Sequence, residues 1–306
     1  MSRSYRFRVV NVFAESKLVG NPLAVIEDAR GLSDAEMQQL GLQFNLSEIT
    51  FIFAPVHGRE NQKAAIPGRT SQQQLGSEEG HADAVVRIFT PTFEMPFAGH
   101  PTLGTAHVLR AIRHGGDALN LEMKAGVIPV SASGDVWTLT AKAPTHRPCE
   151  YSAKDVAAAL GLKADDIAGP VLWVNAGVEQ LIVPLTNADA VARTTPHFER
   201  CRNHCRNDAM GAQAYVFARR DATNIVSRYF FQQGSVLIED PGTGSACANL
   251  GGYFIATGAA VPLRADVHQG AATGRPCLLH LTVDAERRIH VGGRVIELMT
   301  GEIELE

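Results

Sequence analysis

Residues 85–111, VVRIFTPTFEMPFAGHPTLGTAHVLRA, and residues 226–256, VSRYFFQQGSVLIEDPGTGSACANLGGYFIA, read as two copies of one plan. Each runs from Val-x-Arg through an aromatic pair or near-pair and a turn. A glycine-containing loop and an apolar helix rich in small residues follow. The interval between the copies is far too long for a solenoid repeat and suits two similar domains facing each other. The expectation is an α+β chain divided near residues 120–130, with domains over 1–125 and 126–306. The last strands, CLLHLTVDAERRIHVGGRVIELMTGEIELE, finish the second domain or return to the first.

The flanking sequence supports this plan. RFRVVNVF alternates as a strand does, and GNPLAVIED follows a Gly-Asn-Pro turn, so the chain should open with a hairpin. Ser33 and Asp34 are candidate caps for a helix leading into MQQLGLQFN, after which EITFIFAP returns as a strand. The segment from about residue 56 to 83 is rich in Gln, Gly, Ser and charge and nearly devoid of large apolar residues; a long mobile surface loop is expected there. In the carboxyl half, GPVLWVNAG, VEQLIVPL and AYVFAR read as strands, with a helical stretch near residues 186–194.

Composition narrows the function. The 306 residues are 45% hydrophobic and 20% charged, with a net charge of −4. Nucleic-acid binding leans on clustered Lys and Arg, and here the basic residues are scattered. No apolar run reaches the length of a membrane span, and the amino end lacks a signal-peptide core. A cytoplasmic protein with no nucleic-acid or membrane partner is expected. The cysteines, Cys149, Cys201, Cys205, Cys247 and Cys277, are five in number and widely spread, which argues against a disulfide framework. His197, Cys201, His204 and Cys205 could share a helix face. They lack the paired-loop spacing of zinc ribbons and fingers and read as part of a surface helix, so no metal site is expected.

The glycine loops of the two copies carry the candidate chemistry. Gly99 in the first and Gly242, Thr243 and Gly244 in the second stand at helix starts, where backbone N–H groups lack intrahelical partners and the dipole is positive. Each is a potential seat for an anion, and two such starts converging on one cleft could hold a substrate carboxylate. His100, between Gly99 and Pro101, projects from the first start, placed either to hydrogen-bond and protonate a substrate or merely to cap its own turn. Asp240 lies beside the second start, stabilised in ionised form or acting as a plain N-cap, and Ser245 lies just inside the helix. Glu48 sits between a polar Asn-Leu-Ser turn and an apolar strand, where partial desolvation raises a carboxyl's affinity for protons.

GNPLAV, NLSEITFI, RIFTPTFEMPFAGHPTLG, EDPGTGSA and GRP with a late VGGRV, in that order along nearly the whole chain, resemble the phenazine-biosynthesis PhzF-like family, relatives of the diaminopimelate epimerase fold. The resemblance implies two similar domains, each a barrel-like mixed sheet around a central helix, an active site in the interdomain cleft, and a homodimer. It implies an isomerase that uses neither metal nor organic cofactor and moves a proton within a small carboxylate substrate, a dihydro-hydroxyanthranilate. By matching motif, Glu48 is the implied general acid/base, His100 and Asp240 orient substrate or relay protons, and Ser245 helps hold the carboxylate. Diaminopimelate epimerases and proline racemases use two facing cysteines, and the corresponding positions here are Ala98 and Pro241, which cannot exchange a proton. The alternatives are an epimerase or racemase using Glu48 with His100, or a non-catalytic scaffold of the same fold. The chain departs from the family at Gly242, often alanine, and at Cys277, commonly serine. RYFFQQGS also lacks the proline usual after its aromatic pair, and the segment after Pro55 is an unusual insertion. These departures bear on the identity of the substrate.

Overall fold

The computed structural model of the protein describes residues 2–55 and 82–306. The segment expected to be a mobile loop lies outside the described residues, apart from positions 82 and 83. The chain divides into two compact units: Met1–Val12, Pro22–Leu139 and Arg294–Glu306 form the first, Phe13–Asn21 and Thr140–Gly293 the second. The expected boundary after residue 125 falls between strands Ala118–Met123 and Gly126–Ser133, which pair with each other.

In the first unit, strands β1 (Arg3–Val12), β2 (Asn21–Ile26), β3 (Ile49–Phe53), β4 (Ala84–Phe89), β5 (Glu94–Met95), β6 (Ala118–Met123), β7 (Gly126–Ser133) and β8 (Val136–Thr140) form a mixed sheet. β1 pairs with β2, and β2 runs parallel to β3; β3 is antiparallel to β4, and β4 is parallel to β6. A meander through β7 and β8 reaches the final strand, whose residues Val295–Leu305 pair with β1, so the pairings return to where they began. Helix α1 (Asp34–Phe44) starts in a capping box in which Ser33 and Glu36 satisfy each other's backbone N–H groups. Asn45 ends it in the left-handed region and turns the chain toward Glu48 and β3. Helix α2 (Gly99–Arg113) buries ten of its 15 residues, including the whole run from Gly99 to Ala106. A helix covered on nearly every side must be enclosed by its sheet.

The second unit repeats the pairing order. Its helices are α3 (Ala153–Ala159), α4 (Ala188–Arg193), α5 (Phe198–His204) and α6 (Gly244–Ala256). Its strands are β9 (Thr145–Pro148), β10 (Leu172–Asn175), β11 (Glu179–Pro184), β12 (Arg206–Asn207), β13 (Gly211–Arg219), β14 (Asn224–Gln233), β15 (Val236–Asp240), β16 (Leu263–Gln269), β17 (Cys277–Val283) and the beginning of β18 (Ile289–Leu305), whose residues from Arg294 on belong to the first unit. β11 is parallel to β13, β13 antiparallel to β14, and β14 parallel to β16, the same succession as β2, β3, β4 and β6. In both units a hairpin off the middle strand, β4–β5 or β14–β15, leads into the buried helix. Cys201 and Cys205 are core residues, the Cys201 thiol donating to the Ala159 carbonyl at 3.3 Å. Among the described residues no group of His, Cys, Asp and Glu side chains is arranged to hold a metal ion, and no helix is long and apolar enough to cross a membrane.

The repeated Val-x-Arg has a structural cause. Arg87 is almost wholly buried and needs compensating charge, which Glu94 supplies through two bonds of 2.7 Å and Asp34 through one of 2.6 Å. Arg228 makes the equivalent two-pronged pair with Glu239 at 3.0 and 2.7 Å and also donates to the Thr194 carbonyl at 2.7 Å. Each pair spans a hairpin and holds the strand that delivers the glycine loop.

Small residues let the buried helices approach their sheets. A Cβ on Gly104 would lie 2.6 Å from Leu23, and one on Gly252 would lie 2.8 Å from both Pro144 and Val174. Gly252→Val is therefore expected to overpack the second unit and lower stability by about 1–3 kcal/mol, read as a shifted midpoint in urea unfolding.

Candidate active site

In the first unit, Ala98 is the N-cap of α2 and supplies no capping side chain, so the helix start at Gly99 is left open at the backbone level. His100 follows, buried. Its imidazole donates to the Pro22 carbonyl, and its Nε2 faces the Glu48 Oε2 at 3.4 Å. Burial pushes the imidazole down to about 3, so it is neutral at any physiological pH. Glu48 stands at the mouth of β3 with 15% of its side chain exposed. The unit thus brings together a carboxyl group and a neutral imidazole.

In the second unit, the N-cap of α6 is Thr243, so Asp240 is not a plain cap. The Asp240 carboxyl receives the Thr243 hydroxyl and the Asn21 amide, the latter at 3.2 Å. Asn21 also donates to the Gly242 carbonyl at 3.0 Å, and Gln269 ties the loop together through the Asp240 carbonyl and Thr243 hydroxyl, each at 2.9 Å. Burial pushes the Asp240 carboxyl up to about 6, against the lowering effect of the bonds from Thr243 and Asn21. Ser245, half-buried one residue after Gly244, accepts from Gln180 Nε2 at 3.1 Å. Asn21, Gln180 and Gln269 escaped the sequence reading. Only Asn21 carried a signal, as the central residue of the Gly-Asn-Pro turn.

Cys247 is wholly buried inside α6, with its thiol pushed far up by desolvation, so it offers no thiolate. Cys277 and Gly242 meet: a Cβ on Gly242 would lie 2.7 Å from the Cys277 sulfur and 3.2 Å from Phe13. The two departures from the family pattern are therefore one steric arrangement, a bulky sulfur opposite a missing methyl.

This architecture of mixed sheets around buried helices is the fold of a solved PhzF-family phenazine biosynthesis protein from Bacillus anthracis, with a TM-score of 0.80 at 23% identity over 98% of this chain and 99% of that one. The family model for phenazine biosynthesis-like proteins, PhzC-PhzF, matches residues 10–301, and the chain belongs to that family. An uncharacterized isomerase of Pasteurella multocida is 34% identical over 99% of this chain and 95% of its own length. The trans-2,3-dihydro-3-hydroxyanthranilate isomerase of Pseudomonas aeruginosa is 32% identical over 90% of this chain and 89% of its own length. The resemblance carried by the ordered motifs is thus borne out, and the chain is an isomerase by family.

Two outcomes follow from the second unit. Gly242→Ala should destabilise the protein by about 1–3 kcal/mol, and Cys277→Ser in the same chain should restore most of the loss, a coupling that a double-mutant cycle of unfolding free energies measures. The Asp240 carboxyl titrates higher folded than unfolded, so its contribution to stability is greatest in acid and is lost as pH rises from its ordinary range through about 6. Asp240→Asn removes this loss, and its stability relative to the parent should grow by up to about 2 kcal/mol between about pH 4 and pH 8 in urea titrations.

Proposed function

We propose that this protein moves a proton within a small unsaturated carboxylate of the dihydro-hydroxyanthranilate type, with Glu48 as both base and acid. The observation that carries this reading is the pairing of Glu48 with a buried His100 at 3.4 Å. Glu48 as carboxylate takes the proton from a C–H acidified by neighbouring unsaturation, and the substrate's electrons shift along its conjugated system. His100 stays neutral and does not compete for that proton. With its other nitrogen donating to Pro22, its Nε2 lone pair can receive a hydrogen bond from the newly formed Glu48 acid. The acid then returns the proton to another carbon on the same face, so proton and charge balance within the pair.

Asp240 and Ser245 hold the substrate in this reading, Ser245 at the carboxylate and Asp240 at the polar substituents. The helix starts at Gly99 and at Gly242 and Gly244 stabilise negative charge as it develops. The Pseudomonas aeruginosa relative, named for the trans-2,3-dihydro-3-hydroxyanthranilate reaction, supports this substrate class. Alanine and proline at positions 98 and 241 leave a two-thiol racemase without its acid and base.

Glu48→Gln preserves shape and removes the proton carrier. Turnover of trans-2,3-dihydro-3-hydroxyanthranilate, followed by proton NMR in deuterated water, should fall at least about a thousandfold while ligand binding changes little. A variant that retains full activity would remove Glu48 from the mechanism.

A further inference from the structure

The Ser245 hydroxyl ends a chain of buried amides whose orientation is set by groups that can act in only one sense. The Ala176 backbone N–H can only donate, and it donates to Asn249 Oδ1 at 2.7 Å. Asn249 Nδ2 must then face the other way, where it donates to the Val178 carbonyl at 2.8 Å and to Gln180 Oε1 at 2.7 Å. A carbonyl can only accept, so Asn249 is fixed from both sides. With its oxygen occupied, Gln180 presents Nε2 to the Ser245 Oγ at 3.1 Å.

A neighbouring buried amide is fixed in the same way. Gln213 Nε2 donates to the Glu179 carbonyl at 3.1 Å, which turns Gln213 Oε1 toward the Tyr229 hydroxyl that donates to it at 2.8 Å. Gln180, Gln213 and Asn249 are all at most 2% exposed, so water does not rescue an alternative orientation.

We infer that Gln180 and Asn249 are positioning residues that commit the half-exposed Ser245 hydroxyl to donate its hydrogen outward, so that this position selects an anionic oxygen over a hydrogen-bond donor. A serine that accepts from the Gln180 amide cannot spend its single hydrogen on that amide, which leaves the hydrogen for an acceptor on the ligand. The inference rests on the proposed function for the placement of Ser245 against the substrate carboxylate.

The test measures binding of 3-hydroxyanthranilate, the unreactive aromatic counterpart of the proposed substrate, and of its carboxamide, by calorimetry. The parent protein should prefer the carboxylate. Gln180→Glu supplies an acceptor where the amide donated, draws the Ser245 hydrogen inward, and should lower the carboxylate-to-carboxamide affinity ratio at least about tenfold. Introduced charge alone would lower the ratio whether or not Ser245 is present, so the measurement is repeated on Ser245→Ala: the inference requires most of the change to vanish there. Gln180→Met, which adds no charge and preserves bulk, should lower the ratio by about threefold, again only with Ser245 present, and decides the matter if Gln180→Glu does not fold. A ratio unchanged by both variants, or a change that persists without Ser245, overturns the inference, as does a parent protein that binds neither compound. Expected ratios without turnover of trans-2,3-dihydro-3-hydroxyanthranilate would leave the Ser245 assignment standing and remove the proposed reaction. Turnover with unaltered ratios would do the reverse.

Discussion

Helix α6 and the first three turns of α2 have no face that can be left in water, and this constraint organises each unit. Enclosing a helix requires a sheet that curves around it, and in the first unit the strand pairings run from β1 back to β1. Close approach requires small residues on the helix, which Gly104, Gly251 and Gly252 provide against neighbours that would leave a Cβ less than 3 Å of room. A helix held this tightly has a fixed amino end. Neither Ala98 nor Thr243 covers that end with a side-chain cap, although the Thr243 N–H itself donates to Gln269 Oε1 at 3.3 Å.

The repeated scaffold and the unrepeated chemistry divide cleanly. Arg87 with Glu94 and Arg228 with Glu239 sit at matching places on their hairpins, and each guanidinium also lies over an aromatic ring two residues on, Phe89 or Phe230. The groups beyond the clamps differ. One unit presents a carboxyl beside a neutral imidazole; the other presents a carboxyl poised to titrate near neutrality and a hydroxyl backed by ordered amides.

What could be read from the amino acids was what neighbours in sequence determine. The cap at Ser33, the turn at Asn45, the glycine loops and the repeated Val-x-Arg all declare themselves within a few residues, and the ordered motifs sufficed to recover the family. His100 and Glu48 were legible as separate candidates, but their proximity depends on β3 and α2 packing, which no local pattern encodes. Asn21 meets Asp240 across 219 positions and Asn249 meets Gln180 across 69, so neither partnership leaves a trace in local spacing. Asp240 invited two readings, and the choice fell to Thr243, whose backbone begins the helix while its hydroxyl serves the aspartate.

The fit of Cys277 against Gly242 has a historical reading. A lineage that began with alanine and serine at these two positions had two routes to the present pair. Cysteine first would set a sulfur against a methyl with Phe13 closing the other side, whereas glycine first opens a vacancy that sulfur later fills. The geometry makes the path directional: once the sulfur is seated, return of the methyl meets a close contact, and the loop beside Asp240 favours its glycine for as long as the thiol remains.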